Sequence, residues 1–270
     1  MAGSKRYAKE PFRNSKVDER VLFLFRDGYI LQIFVGRSGV RRLIWEEVVG
    51  LLLIFMVFLA AKYGTVQVVS ADVAERNGKR VVVIDSGHGG NDPGKVGVDG
   101  SLEKEINLEI AMRLKQYLEL EDIEVIMTRE SDTGLYQEED SSKKMADMRN
   151  RCRLINDAKP DLVVSIHQNS YHEEYVSGGQ VFYYKDSVKG KELAEILQER
   201  FTYVLGSENR RLAKANGDYY LLLHVKSPIV IVECGFLSNW KEAAMLQQEE
   251  YQDRLAWTIH MGIMEYLNQK

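Results

Sequence analysis

The sequence predicts an α/β protein with a mostly parallel central sheet, helices on both of its faces, and a membrane-anchor helix ahead of it. Three observations carry this. Five short runs, VVVID (81–85), IEVIM (123–127), LVVSI (162–166), QVFYY (180–184) and IVIVE (229–233), are apolar and rich in β-branched residues, the pattern of short buried strands. Between most of them the apolar residues recur at helical spacing: Ile106, Ile110, Leu114, Tyr117 and Leu118; Met145, Met148, Cys152 and Ile155; Leu193, Leu197, Phe201 and Val204. Strands alternating with such helices favour a parallel sheet covered on both sides. Upstream, VVGLLLIFMVFLAA (48–61) is an uncharged run between Glu47 and Lys62.

Taken in order, residues 1–45 hold ten Lys/Arg against four Asp/Glu, so with an overall charge of −4 the rest of the chain carries −10. VLFLF and YILQIFV around Arg26-Asp27-Gly28 read as two short strands about a turn. A poorly ordered basic arm on the cytoplasmic side is the other reading, and no function attaches to it. Residues 46–69 read as a signal anchor. The uncharged core is shorter than the ~20 residues that span a bilayer, but it resumes as YGTVQVVSA and reaches Val69 if Lys62 snorkels. Arg37, Arg41 and Arg42 supply the basic flank expected on the cytoplasmic side. Val69-Ser70-Ala71 resembles a cleavage site, so secretion after a cut near Ala71 is an alternative, and a buried core helix is a third. Residues 70–79 read as a linker and residues 80–270 as one domain, without repeats, low-complexity stretches or an appended wall-binding module.

A basic head on an acidic body argues against a nucleic-acid partner, whose basic surface should lie on the folded domain. Cys152 and Cys234 lie inside apolar periodic segments and read as buried free thiols; they form neither a disulfide framework nor a CxxC metal site.

In open α/β sheets ligands gather beyond the carboxyl ends of the strands. His88 follows VVVID, His167 closes LVVSIH, Glu233 closes IVIVE, and Glu103 stands where the first long helix begins. Each has a bland reading. A histidine at a strand end is commonly structural, and a glutamate before a helix commonly caps it or meets its dipole. A carboxylate ending an apolar strand is more telling, because burying an unpartnered charge is expensive. Together, two histidines and a carboxylate from separate segments match a catalytic zinc site with one open position, leaving Glu233 free to move protons. The glycines about His88 fit neither GxxxxGK[ST] nor GxGxxG, which argues against a nucleotide; they permit a tight turn presenting His88.

IDSGHGGNDPG, LEKEINLEIAMRLKQYL, SIHQN and PIVIVECGFLSN resemble, in order and spacing, the four signature blocks of the zinc-dependent N-acetylmuramoyl-L-alanine amidases of bacterial cell walls, from about Val81 to the C-terminus. TRESDTG and NRRLAKANGDYYLLLHVKSP, with the lack of wall-binding repeats, look most like the germination-specific group of spore formers. The resemblance implies a zinc amidase/phosphorylase-hydrolase-like fold, one Zn²⁺ held by His88, Glu103 and His167, and Glu233 as the catalytic carboxylate. It departs at Ser86, where the family usually has proline, and leaves residues 1–45 unexplained. The implied substrate is peptidoglycan, cut between N-acetylmuramic acid and L-alanine, in spore cortex on the way to muramic-δ-lactam. The implied setting is a membrane tether through 46–69 with the domain outside the cytoplasm, in a spore former between forespore and mother-cell membranes, with an accessory protein supplementing the missing wall module. Two readings compete: a zinc peptidase or deacylase on another amide, and a non-catalytic membrane-tethered wall-binding module.

Further candidates have paired readings. Asn169 contacts substrate or braces its loop. Asp85 orients His88 from behind or merely ends its strand. Arg151 matches an arginine of the family's helix motif, a structural ion pair being its simplest role. Arg211 and Tyr220 contact substrate or pack on the surface. His172, His224 and His260 read as non-ligands.

Overall fold

In the computed structural model, residues 19–24, 30–35, 78–206 and 209–269 are described. The proposed anchor at 46–69 therefore lies outside the described residues, as does most of the 70–79 linker. Among the described residues, no helix is long and apolar enough to cross a membrane. The chain divides into two units, 1–77 and 78–270. Of the first, β1 (Glu19–Leu24) and β2 (Ile30–Val35) pair antiparallel, with Glu19 opposite Val35 and Leu24 opposite Ile30. These are the two strands read around Asp27-Gly28.

The second unit contains β3 (Val81–Ser86), α1 (Glu103–Leu120), β4 (Glu124–Met127), α2 (Lys143–Ala158), β5 (Leu162–Asn169), β6 (Gln180–Tyr184), α3 (Val188–Leu205), β7 (Lys214–Asn216), α4 (Tyr220–His224), β8 (Ile229–Phe236), α5 (Trp240–Leu246) and α6 (Glu249–Asn268). The strand order is β4-β3-β5-β8-β6-β7. Pairings are parallel except that β6 runs antiparallel to β8, so the sheet is mixed. The cause is local. The segment between β5 and β6 contains no helix to carry the chain back across the sheet, so β6 starts at the edge where β5 ended and must run the other way. The short edge strand β7, Lys-Ala-Asn, has no apolar signature and went unread in the sequence.

Side chains alternate across a strand, and that alternation sorts the core. Val82, Ile84, Leu162, Val164, Ile166, Val230 and Val232 pack with Ile106 and Ile110 of α1, Leu193 and Leu197 of α3, and Ile259 and Ile263 of α6. Their alternates Val83, Val163, Ile229 and Ile231 pack with Cys152 and Ile155 of α2 and Leu221 and Leu222 of α4. Both cysteines are buried and free. The same parity continues past the apolar stretch. Asp85, His167 and Glu233 therefore leave the carboxyl ends of β3, β5 and β8 on the α2/α4 side.

Candidate metal centre and active site

The loop between β3 and α1 carries His88 in the left-handed region, φ 62°, beside Gly89 at φ 124° and Gly90 at φ 57°. A non-glycine residue holds that conformation only when its surroundings impose it. Arg151 does so: wholly buried, its guanidinium donates to the carbonyls of Ser86 (2.7 Å) and His88 (2.6 Å) and to Asp85 (2.8 Å) and Asp147 (2.7 Å). Arg129, just past β4, donates to the carbonyls of Ser86 (3.0 Å), Gly87 (3.0 Å) and Lys104 (2.7 Å). Gly87 is required by contact: a Cβ there would sit 2.3 Å from the His167 ring. At Gly94 it would sit 2.6 Å from the Glu103 carboxylate.

Glu103 opens α1 and is almost fully buried. One carboxylate oxygen lies 3.2 Å from His88 Nε2 and 3.0 Å from His167 Nδ1 and accepts the Gln168 N–H at 3.1 Å; the other accepts the Lys95 N–H at 2.7 Å. Burial works against ionising Glu103, but the His167 and His88 hydrogen bonds overcome it and hold the carboxyl well below the usual range. The three groups offer atoms within 4.8 Å of one another, and among the described residues this is the cluster able to hold a metal ion. Two imidazoles and one carboxylate meeting at a point fit a divalent cation with an open coordination position.

Glu233 stands directly opposite His167 across β5 and β8. It is buried, one carboxylate oxygen has no hydrogen-bond partner, and burial, only partly countered by His167, pushes its pKa up to about 7. A carboxyl group poised there and free of structural bonds suits proton transfer. Both histidines and Glu233 border a cavity of about 310 Å³ walled by Met148, Tyr219, Tyr220, Leu221 and Ile231. A more polar cavity of about 390 Å³ adjoins it at Lys95, Gln168, Asn169 and Ser170.

The remaining sequence candidates separate. Asp85 does not reach the His88 ring; its carboxylate accepts from Thr128 (2.8 Å), Arg151 (2.8 Å) and Ser165 (2.6 Å), so it acts on His88 only through Arg151. Arg151 is in the ion pair expected of it. Asn169 borders the polar cavity while its side chain accepts from Ser170 N–H (2.8 Å), bracing the loop. Tyr220 lines the apolar cavity and stacks on His224. Arg211 lines neither cavity: it donates to Ser177 O (3.0 Å) and covers the Phe236 ring at 4.7 Å, which turns it away from the histidines. Ser86 lends its carbonyl to the two arginines, and its buried hydroxyl has no partner. His172, His224 and His260 stand outside the cluster. Reading the sequence missed Arg129, Tyr219, Asp92 and Lys144, which anchor or border the cleft; Arg129 lay in the quoted TRESDTG stretch, but nothing there marks its side chain as turned inward.

The N-acetylmuramoyl-L-alanine amidase family profile matches residues 82–265. The germination-specific N-acetylmuramoyl-L-alanine amidase of Bacillus subtilis is 39% identical over 194 residues, covering 71% of this chain and 81% of that protein. The CwlD amidase of Clostridioides difficile, solved in complex with the GerS lipoprotein, superposes with a TM-score of 0.69 at 39% identity, covering 71% of this chain and 100% of that one. The catalytic domain of CwlV, an N-acetylmuramoyl-L-alanine amidase from Bacillus (Paenibacillus) polymyxa, gives a TM-score of 0.61 at 32% identity, covering 71% and 99%. Fold, site and relatives agree, and the chain belongs to the N-acetylmuramoyl-L-alanine amidase family, as an enzyme that hydrolyses peptidoglycan.

Proposed function

We propose that this amidase depends on zinc held by His88, Glu103 and His167, that it cuts the amide joining the lactyl group of N-acetylmuramic acid to the first L-alanine, and that its substrate is spore cortex on the way to muramic-δ-lactam. The observation that carries the chemistry is the pairing of a two-histidine, one-carboxylate cluster with a buried, unpartnered Glu233 on the neighbouring strand. Zinc bound there supplies a Lewis acid that polarises the scissile carbonyl and acidifies a water. Glu233 takes the proton of the attacking water and returns it to the departing alanine nitrogen. Met148, Leu221 and Ile231 give the cleft an apolar wall on one side, and the bonds from Arg151 and Arg129 hold the main chain of the loop that carries His88.

The cortex role is supported by likeness to a germination-specific amidase. An accessory lipoprotein is supported by the complex in which the Clostridioides difficile relative was solved. A membrane tether through 46–69, holding the domain outside the cytoplasm, rests on the apolar run and its basic flank. In a deletion strain of a spore former, cortex should lack muramic-δ-lactam, with rescue by the wild type and not by His167→Ala. Normal lactam content in the deletion strain contradicts the cortex role. Recovery of the full chain in the soluble fraction contradicts the tether.

A further inference from the structure

The two ring nitrogens of His88 face different acids. Nε2 points to the Glu103 oxygen at 3.2 Å, and Nδ1 to Asp92 Oδ2 at 3.0 Å. Asp92 is itself pinned. Its backbone exchanges hydrogen bonds with Gly89 in both directions (2.9 and 3.2 Å), and Oδ1 accepts the Gly94 N–H at 3.1 Å. Lys144 Nζ stands 3.5 Å from Oδ2, on the side of that carboxylate away from the Gly94 bond. The backbone bonds from Arg151 and Arg129 fix where the His88 main chain runs. The ring packs against Gly94, where a Cβ would sit 2.8 Å from Cδ2, and edge-on to the His167 ring at 4.9 Å; these contacts do not decide which ring nitrogen carries the proton. Among the described side chains, Asp92 is what holds the ring's far side.

We propose that Asp92 is the positioning residue for His88: it accepts the Nδ1 proton, fixes the tautomer, and presents Nε2 to the metal. This rests on the zinc reading above. A carboxylate behind a ligating histidine orients the ring and raises its basicity, and losing such a partner typically weakens metal affinity about 10–100-fold. The arrangement is one-sided. His167 offers Nδ1 to the cluster, and among the described residues no acid hydrogen-bonds its other nitrogen; close packing against Gly87 bounds its ring.

The test is zinc affinity of the full chain, by competition with a chromophoric chelator, for wild type, Asp92→Ala, Asp92→Asn and Asp132→Ala. Asp132 is the control: it anchors the same loop by accepting from Gly90 N–H (2.8 Å) and Lys104 (2.6 Å) without touching His88. Asp92→Ala should bind zinc about 10–100-fold more weakly, Asp92→Asn less so because it keeps an acceptor, and Asp132→Ala within about three-fold of wild type. Nitrogen-15 spectra of the metal-free protein should show the His88 Nδ1–H tautomer in wild type and a mixture in Asp92→Ala. If Asp92→Ala is folded and binds zinc as tightly as wild type, or if Asp132→Ala weakens binding equally, Asp92 has no positioning role. If wild-type protein binds no zinc, the zinc reading itself falls.

Discussion

His167 and Glu233 are direct neighbours across parallel strands β5 and β8, yet only one is engaged: the imidazole meets Glu103 at 3.0 Å, while a buried Glu233 oxygen meets nothing. On the function proposed above, the adjacency places a proton carrier beside the candidate metal ligands His88, Glu103 and His167 without making it one of them. Glu233→Gln keeps the shape and removes the base, so it should retain bound zinc and lose about 10²–10⁴-fold in kcat. Metal content and turnover measured on one preparation check this. Full activity, or loss of zinc, contradicts the division of labour.

The same residue sets an acid limb. Glu233 accepts a proton only when ionised, and burial pushes it up to about 7. Activity should fall as pH drops through that region, a bound cation nearby drawing the limb lower. A profile of kcat/KM between pH 5 and 9 reads it, and a flat profile on the acid side removes Glu233 as base.

Asp85 governs stability rather than proton transfer. Burial opposes its charge, but Arg151 and Ser165 outweigh that and lower its pKa from 3.8 to about 2. A depressed carboxyl stabilises the fold above its unfolded pKa, and that contribution disappears as pH falls from about 4 through 2. Asp85→Asn should cost about 3 kcal/mol at pH 7, because Arg151 is left with one acid, and should flatten the acid dependence. Urea unfolding of metal-free protein at several pH values measures both. An undiminished acid slope in Asp85→Asn assigns it to another group.

Gly87→Ala is a steric test of His167. The new methyl would lie 2.3 Å from the imidazole, and Gly87 is not among the positive-φ glycines, so displacement of the ring dominates over backbone strain. Zinc affinity and activity should drop together while far-UV circular dichroism is unchanged. Wild-type zinc affinity would show that the ring has room.

The cleft's walls and the Arg211 site should respond differently. Tyr219 borders both cavities, and Tyr219→Ala should lower kcat/KM about ten-fold, equivalent to ~1.4 kcal/mol of lost contact. Arg211→Ala should stay within two-fold, since its guanidinium is spent on Ser177 and Phe236. A larger loss at Arg211 than at Tyr219 reverses the placement of substrate.

Most of the parallel sheet was legible because VVVID, LVVSI and IVIVE are buried on both faces and say so in composition. Strand parity then carried His167 and Glu233 to one face. The direction of β6 was not legible, since it depends on a missing crossover helix. Lys214–Asn216 was not, because an edge strand needs no apolar residues. Within the site, types and order pointed to His88, Glu103, His167 and Glu233, which the fold brings together. The supports were less visible. Asp85 and Asp92 are both acids near His88; strand parity turns Asp85 to Arg151 on the α2 side, whereas Asp92 meets the His88 ring through the loop, whose backbone at His88 is left-handed. Arg211 looked suited to substrate because its segment precedes β8, but where a guanidinium points depends on contacts far away in sequence.

The most direct measurement is digestion of purified peptidoglycan by the full chain, with newly exposed N-terminal L-alanine quantified before chelation, after chelation and after zinc is restored. The expected result is release of stem peptides beginning with L-alanine, abolished by the chelator and recovered with zinc. Absence of new N-terminal alanine, or release that chelation does not touch, contradicts a zinc-dependent amidase built on His88, Glu103 and His167.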